Sequence, residues 1–312
     1  MPETAIIIVN WNGWKDTIEC INSFTHPLPG GHFFIIDNNS TDSSIPELEH
    51  YFKNHFISYT ICETRELSSS FSELNQVTLV KNPTNQGFAG ANNAILRFLI
   101  ILKQFRYAWL LNNDTIVYND TLTNLIRKIK ENDRNAFCGS VLLEYKNPNL
   151  VQCCGVKHYK YLGVSKLLRK NENWPQIRSN ISLPQKGLFY QNGASLLVDI
   201  SRLDTIGLMD ERFFLYSEEA DWQFKALHAS FYNVTATESL VQHKGSASTA
   251  GKKFIFFYYY NKSAILMTRK NFGLMAGISA TLSLTAITII RAKFNLKSIF
   301  FGVKGLLRGW ML

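Results

Sequence analysis

Four short apolar runs mark the first 115 residues, and each leads into polar or acidic residues. Ala5–Val9 is continuous and rich in β-branched side chains. A run with no alternation predicts a strand buried on both faces, as in a parallel sheet. Phe33–Ile36, Val77–Val80 and Tyr107–Leu111 predict three more strands. Helices are expected over about 14–24, over 44–54, and from the Asn85–Gly90 turn to about 105. Ser44-Ile45-Pro46-Glu47 has the form of a capping box with proline in the first turn. The order β-α-β-α-β-α-β predicts an α/β open sheet, mostly parallel, with helices on both faces. Residues 57–76 read as a polar inserted loop. Further on, strands are expected over 137–143, 194–198 and 232–241, and a helix over 217–229. The segment 145–190 is loop-rich and basic, and predicts no detailed structure.

Open α/β sheets bind ligands at the carboxyl ends of their strands. Here those ends carry Asn10, Asp37, Asn85 (after a short connector) and Asp114. Asn and Asp also simply end strands, so one such residue says little. Four on one sheet edge point to a binding site. Asp37 could accept hydrogen bonds from a nucleobase or ribose. Asn112 and Asp114 place two oxygen-bearing side chains on one strand-end loop, which suits a hard divalent cation bridging to a diphosphate; an Asx-turn is the plainer alternative. Glu218, Glu219 and Asp221 lie at a helix start. Acidic residues favour that end of the macrodipole in any case, but neighbouring carboxylates can also raise one pKa and make a general base. His243 follows a strand and is either structural or a third metal ligand.

Composition narrows the chemistry. There is no GxxxxGK[ST] loop, no GxGxxG after a strand, no HExxH and no GxSxG, which disfavours ATPases, dehydrogenases, zincins and serine hydrolases. Five cysteines without a CxxC pair argue against a disulfide framework or a Cys-ligated zinc, and suit the reducing, cytosolic side. The chain opens with no apolar stretch of signal-peptide length.

The charge is unevenly placed. The net charge is +9, yet residues 251–312 hold ten Lys and Arg and no Asp or Glu. Residues 1–250 are therefore nearly neutral, with 23 basic and 24 acidic side chains. A nucleic-acid binder would not divide this way. Phe272–Ile290 is 19 residues without charge, near the ~20 that span a bilayer. Ile299–Leu312 is basic and aromatic, as interfacial segments are. The tail predicts attachment to an anionic membrane surface, peripheral or monotopic, at the cytoplasmic face. A lone span would carry residues 291–312 across against the positive-inside tendency. A helical hairpin buried on the domain is the alternative.

The ordered set Val9-Asn10-Trp11-Asn12, Ile36–Asp42, Asn85–Asn92, Leu111–Thr115 and Gly207–Trp222, closed by His243 and Ser248, resembles the inverting family 2 glycosyltransferases. The resemblance covers roughly residues 4–250 and is nearest the rhamnosyltransferase-like and galactofuranosyltransferase-like branch, which builds bacterial surface polysaccharides. It implies a GT-A fold and a domain over 1–250, with a nucleotide-binding half (1–115), an acceptor and catalytic half (116–250), and the tail 251–312. It implies a nucleotide-diphosphate sugar donor, a glycan or polyprenyl-linked acceptor, and Mg²⁺ or Mn²⁺. Asp37 should then contact the nucleoside, with Asn10, Asn12, Asn85, Gly87 and Asn92 around it. Asn112-Asn113-Asp114 stands at the metal motif, departing from the family at Asn112. Asp114 and His243 match metal-ligand positions. Glu219 stands where the family usually has an aspartate base, with Glu218 and Asp221 beside it. Two other functions fit less well. A nucleotidyltransferase would need a Gly-rich basic loop where Asn10–Lys15 stands. A non-catalytic nucleotide-sugar or glycan-binding scaffold would explain the departures at Asn112 and Glu219.

Overall fold

The computed structural model describes residues 3–24, 31–68, 75–179, 181, 183, 187–245 and 253–312. Strand β1 (Thr4–Asn10) leads to α1 (Trp14–Asn22), β2 (Gly31–Asp37), α2 (Ser44–Asn54), β3 (Tyr59–Glu63), β4 (Val77–Lys81), α3 (Gly87–Leu102) and β5 (Tyr107–Asn112). Then come β6 (Thr115–Val117), α4 (Thr121–Lys130), β7 (Asn135–Glu144), β8 (Asn147–Cys153), β9 (Val156–Tyr159), β10 (Val164–Leu167), α5 (Trp174–Ile177), β11 (Phe189–Tyr190) and β12 (Ser195–Asp199). The chain continues through α6 (Leu203–Ile206), α7 (Glu218–His228), β13 (Tyr232–His243), α8 (Lys253–Arg291) and α9 (Leu296–Met311).

Ten strands form one sheet in the order β3-β4-β2-β1-β5-β12-β7-β13-β6, with β8 also on β7. β3, β4, β2, β1 and β5 are mutually parallel. Side chains of β1 alternate between two cores. Ile6 and Ile8 pack with residues of α1, α2 and α4. Ala5 and Ile7 pack with residues of α3 and α6. A strand covered on both faces has no polar side, which is why its sequence does not alternate. In-register pairing sets Asn10 beside Asp37, and Asp37 beside Lys81. The polar strand ends thus line up along one edge of the sheet.

Two expectations are corrected. The polar stretch 57–76 contains β3, an edge strand paired with β4. Only Cys62 of β3 is buried, so it lacks the apolar signature of an inner strand. The basic stretch 145–190 contains β8 and the small antiparallel sheet β10-β9-β11. Exposed lysines alternate there with buried positions, including the polar His158. The expected boundary near residue 250, and Ser248 of the family resemblance, lie outside the described residues.

The carboxy-terminal helices form a three-limbed bundle. Helix α8 breaks at Gly273, where φ is 85°. Its second limb doubles back, so that Asn261 Nδ2 donates to Thr288 Oγ1 at 2.9 Å. Helix α9 lies against both limbs. A Cβ on Gly305 would stand 2.3 Å from the Tyr258 carbonyl oxygen, and one on Gly302 2.5 Å from Thr288 Cγ2. The first limb also packs on the α/β body, with Tyr259 stacked on Phe214 and Phe272 on His158. Gly305→Ala should therefore push α9 off the first limb. The expected loss is ~1–3 kcal/mol, the usual range for overpacking, measured by urea denaturation. An unchanged midpoint would refute the close approach.

Candidate active site

Asp37 closes β2 and is nearly buried. It accepts from Asn10 Nδ2 at 2.8 Å and from the Ser40 N–H at 2.9 Å. Asn10 Oδ1 in turn accepts from Thr17 Oγ1 at 2.8 Å. Asn12, in the left-handed region at φ 50°, accepts the N–H groups of Thr41 at 2.8 Å and Asp42 at 3.2 Å. Asn10 and Asn12 thus brace the 37–42 loop and aim Asp37.

A second brace centres on Asn38. Its Nδ2 donates to Asn85 Oδ1 at 3.0 Å, and its Oδ1 accepts from Asn82 Nδ2 at 3.0 Å and the Gln86 N–H at 3.1 Å. Asn85 Oδ1 also accepts the Gly87 N–H at 2.9 Å. Gly87 has φ 70°, and a Cβ there would lie 2.2 Å from the Phe214 carbonyl oxygen. Only glycine lets α3 start against the loop that leads to α7. Asn92 is buried, and its amide donates to the Phe88 carbonyl of its own helix at 2.9 Å. Its neighbour Asn93 reaches across instead, donating to the Met209 carbonyl at 2.8 Å and to Glu211 at 2.9 Å.

Asp114 and His243 meet where β6 pairs with β13, their Oδ1 and Nε2 atoms 3.3 Å apart. Gln152 Nε2 donates to the His243 carbonyl at 3.1 Å, which turns Oε1 toward Nδ1 at 2.6 Å. This network assigns the ring proton to Nδ1 and leaves the Nε2 lone pair facing the carboxylate. Two electron-rich atoms so close need a cation between them, a proton or a metal. Burial raises the Asp114 carboxyl, but where that cation is a proton on Nε2 the His243 hydrogen bond and charge outweigh it, so the net shift is downward. Asn113 Nδ2 is spent on the Gly13 carbonyl at 3.2 Å and Thr17 Oγ1 at 3.1 Å. The half-buried Asn112 amide has no protein partner among the described residues. No group of three or more His, Cys, Asp or Glu that could hold a metal exists among the described residues. A cation held by Asp114 and His243 would therefore take further oxygens from ligand and water.

The acidic cluster opens α7. Two consecutive non-glycine residues, Tyr216 (φ 69°) and Ser217 (φ 67°), adopt left-handed backbone immediately before it. Such strain gathers at functional sites. The Glu218 and Glu219 Oε2 atoms are shielded from solvent and unpartnered among the described residues. Burial raises the Glu219 carboxyl. Burial and the Glu219 charge raise the Glu218 carboxyl as well. The Glu219 methylenes face Gly193, and the next carbonyl, of Ala194, accepts the Asn112 N–H at 3.0 Å. Glu219 and the Asn112–Asp114 loop are thereby held at one edge. Gln223 Oε1 accepts the Gln191 N–H at 2.7 Å while its Nε2 donates to the Gln191 carbonyl at 2.8 Å, which fixes α7 against that segment.

Asp221 has a different part. It is fully buried, bound to Lys270 Nζ at 2.8 Å and Asn271 Nδ2 at 2.8 Å, both on the first limb of α8. A carboxylate held so is an anchor, not a base. Lys270 also binds Asp210 at 2.6 Å. Lys262 Nζ donates to the Arg212 carbonyl at 3.0 Å, and Ser263 Oγ to the Leu215 carbonyl at 2.9 Å. The carboxy-terminal bundle thus clamps the loop before α7.

Residues 5–153 match the family model described as Glycosyl transferase family 2. The matched segment carries Asp37 and Asp114; the acidic cluster and His243 lie beyond it. No curated protein sequence matches the chain. Among solved structures, the mannosyltransferase PcManGT from Pyrobaculum calidifontis, in complex with GDP-Man and Mn²⁺, is similar at 12% identity and TM-score 0.57, over 99% of this chain and 86% of that one. S. aureus TarS 1–349 is similar at 12% identity and TM-score 0.54, over 98% and 80%. GalNAc-T7 with UDP, GalNAc and Mn²⁺ is similar at 14% identity and TM-score 0.58, over 97% of this chain and 56% of that one. These likenesses show the GT-A fold that the family 2 resemblance implied.

The clamp has a pH signature. Burial alone raises the Asp210 carboxyl, but its bonds to Arg212 and Lys270 win and hold it well below the usual range. A depressed folded pKa stabilises fully above the ordinary aspartate value of ~3.9, and that contribution fades as pH falls through the folded value. Asp210→Asn should cost stability evenly across neutral pH, with the deficit shrinking below about pH 4. Denaturation midpoints measured across pH check this; a deficit that persists undiminished in acid contradicts it.

Proposed function

We propose that the protein is an inverting glycosyltransferase. It would move a sugar, a hexose such as rhamnose, from a nucleotide-diphosphate donor to an acceptor hydroxyl in a single in-line displacement. The observation that carries this reading is one sheet edge bearing three separate capacities. Asp37 is braced by Asn10, Asp114 and His243 stand 3.3 Å apart, and the Glu219 Oε2 atom is unpartnered among the described residues. The family 2 match over residues 5–153 supports it. So do the fold neighbours, solved in complex with GDP-Man and Mn²⁺ and with UDP and Mn²⁺.

In this mechanism the Asn10–Asp37 and Asn38–Asn85 braces hold the nucleoside pocket open and rigid. Glu219 accepts the proton of the acceptor hydroxyl as its oxygen attacks the anomeric carbon. A divalent cation at Asp114 and His243, Mg²⁺ or Mn²⁺, would neutralise charge developing on the leaving diphosphate. No covalent nucleophile is needed. The rhamnosyltransferase-like branch suggests a glycan or polyprenyl-linked acceptor in bacterial surface polysaccharide synthesis. A lipid-linked acceptor fits an enzyme held at the cytoplasmic face of the membrane, and the carboxylate-free, apolar residues 253–312 support that placement.

Glu219→Gln keeps shape and removes basicity. Its turnover should fall by ~10²–10⁴, the usual worth of a general base, with donor affinity unchanged in a thermal-shift titration. Near-normal turnover would sink the assignment. In the wild type, the acidic limb of the rate profile should lie above the ordinary Glu range of ~4.3, because burial raises this carboxyl.

Asp114→Ala tests the cation separately. In the wild type, a donor at 100 times its Kd should stabilise by ~2.7 kcal/mol. The variant should lose the part of that gain that depends on Mn²⁺ or Mg²⁺. Equal gains with metal and with EDTA in the wild type would contradict the assignment.

A further inference from the structure

Both outer helices of the carboxy-terminal bundle are apolar on the face they turn away from it. On the second limb of α8, Ala280, Leu284 and Thr288 are buried in the bundle. Met275 and Leu282 lie on the opposite side by helical periodicity and are 74% and 71% exposed. On α9, Gly302, Gly305 and Gly309 pack inward. Leu296, Phe300 and Leu307 form the outward stripe, and each is at least 60% exposed. The second limb of α8 is uncharged from Leu274 to Ile290, and a helix without a polar face belongs in a large core or in lipid. Lys297, Lys304 and Arg308 flank the α9 stripe, and none is ion-paired among the described residues.

A second element carries the same signature. The β9–β10 hairpin sets Lys157 directly opposite Lys166, and both are exposed. Like charges facing each other across a strand pair destabilise it, and among the described residues neither has an acidic partner. At the turn, Lys160 sits over the exposed Tyr161 ring at 4.9 Å. That turn abuts the bundle: a Cβ on Gly163 would lie 2.8 Å from Ala280 Cβ and 3.0 Å from Leu284 Cδ1.

We infer that the exposed stripes of α8 and α9 form a docking face for an anionic lipid bilayer, with the basic β9–β10 hairpin at its margin. The inference rests on the membrane placement proposed above and deepens it. The apolar stripes enter the acyl boundary while the lysines meet headgroup phosphates. The bundle lies in the interface and does not cross. The 16 residues of α9 rise only ~24 Å, short of the ~30 Å hydrocarbon core. The second limb of α8 is folded back against the first. The same first limb holds Lys270 on Asp221, so the docking face and the candidate base helix share one rigid element.

The test is co-sedimentation of the full chain with phosphatidylcholine vesicles, with and without phosphatidylglycerol. Wild type should bind the anionic vesicles more strongly, and salt should weaken that preference. Leu282→Glu with Phe300→Glu should reduce binding to both vesicle types at least tenfold. Lys157→Glu with Lys166→Glu should weaken the anionic preference and leave binding to phosphatidylcholine vesicles unchanged, because Lys297, Lys304 and Arg308 remain; an unchanged preference would remove the hairpin from the face. Unchanged donor-induced thermal shifts would show that the variants remain folded. If wild type binds and the Leu282/Phe300 variant binds equally well, the face is wrong while membrane attachment stands. If wild type binds neither vesicle, both ideas fail. If that variant converts a dimer to a monomer without affecting vesicle binding, the stripes are a self-interface and the inference is overturned.

Discussion

The carboxylate of Asp221 has no exposed surface, and the architecture follows from that. An unpaired buried charge costs several kcal/mol, so α7 can be buried only where cationic and amide partners are supplied. Lys270 and Asn271 supply them from α8, and Lys225 stands farther off at 3.7 Å. Meeting that demand draws the first limb of α8 onto the α/β body. The limb then brings Lys262 and Ser263 to the loop carbonyls of Arg212 and Leu215. The left-handed pair Tyr216–Ser217 is held between this clamp and the strongly packed start of α3 at Gly87. Glu219 owes its position to these contacts, none of which it makes itself.

The opposite side of the site depends on strand register. Parallel pairing puts Asn10 next to Asp37, and side-chain amides complete the loops beyond. A hydrogen bond inside such a network rigidifies only if every member is satisfied. Here Asn10, Asn12, Asn38, Asn85 and Asn113 are nearly all engaged with one another or with backbone. The Asn112 amide and the Glu219 Oε2 atom are left without partners. Rigid surroundings and unpartnered polar atoms are what a ligand site needs before its ligand arrives.

The parallel half of the sheet was legible because buried strands are uniformly apolar, and its ends because Asp37 and Asp114 are acidic residues directly after such runs. β3 and the β8–β11 region were not legible. Their strands are short, lie at edges or in a side sheet, and mix lysines with buried polar residues such as His158, whose ring burial pushes down to about 4. In the site, the candidates with intrinsic chemistry stood out, while their supports did not. Asn38, Gln152, Gln191 and Gln223 act through contacts tens of residues away, and an isolated amide carries no mark of that. Asp221 shows the converse. Its place beside Glu219 suggested shared chemistry, whereas its partner lies 49 residues further on. The uncharged run 272–290 showed the right length for a span but could not show the fold-back at Gly273.

Those 49 residues also set an order in time. A ribosome adds ~5–20 residues per second, so Asp221 emerges several seconds before the lysine that neutralises it. During that interval burial of α7 would strand a bare charge, and the helix start must remain hydrated. The α/β body can condense as it is made, whereas the end of the sheet edge that holds Glu219 cannot. Closure of this end of the sheet edge therefore waits for α8. The stretch of chain that carries the exposed apolar stripes of α8 and α9 is thus also the stretch whose arrival lets α7 settle onto the sheet.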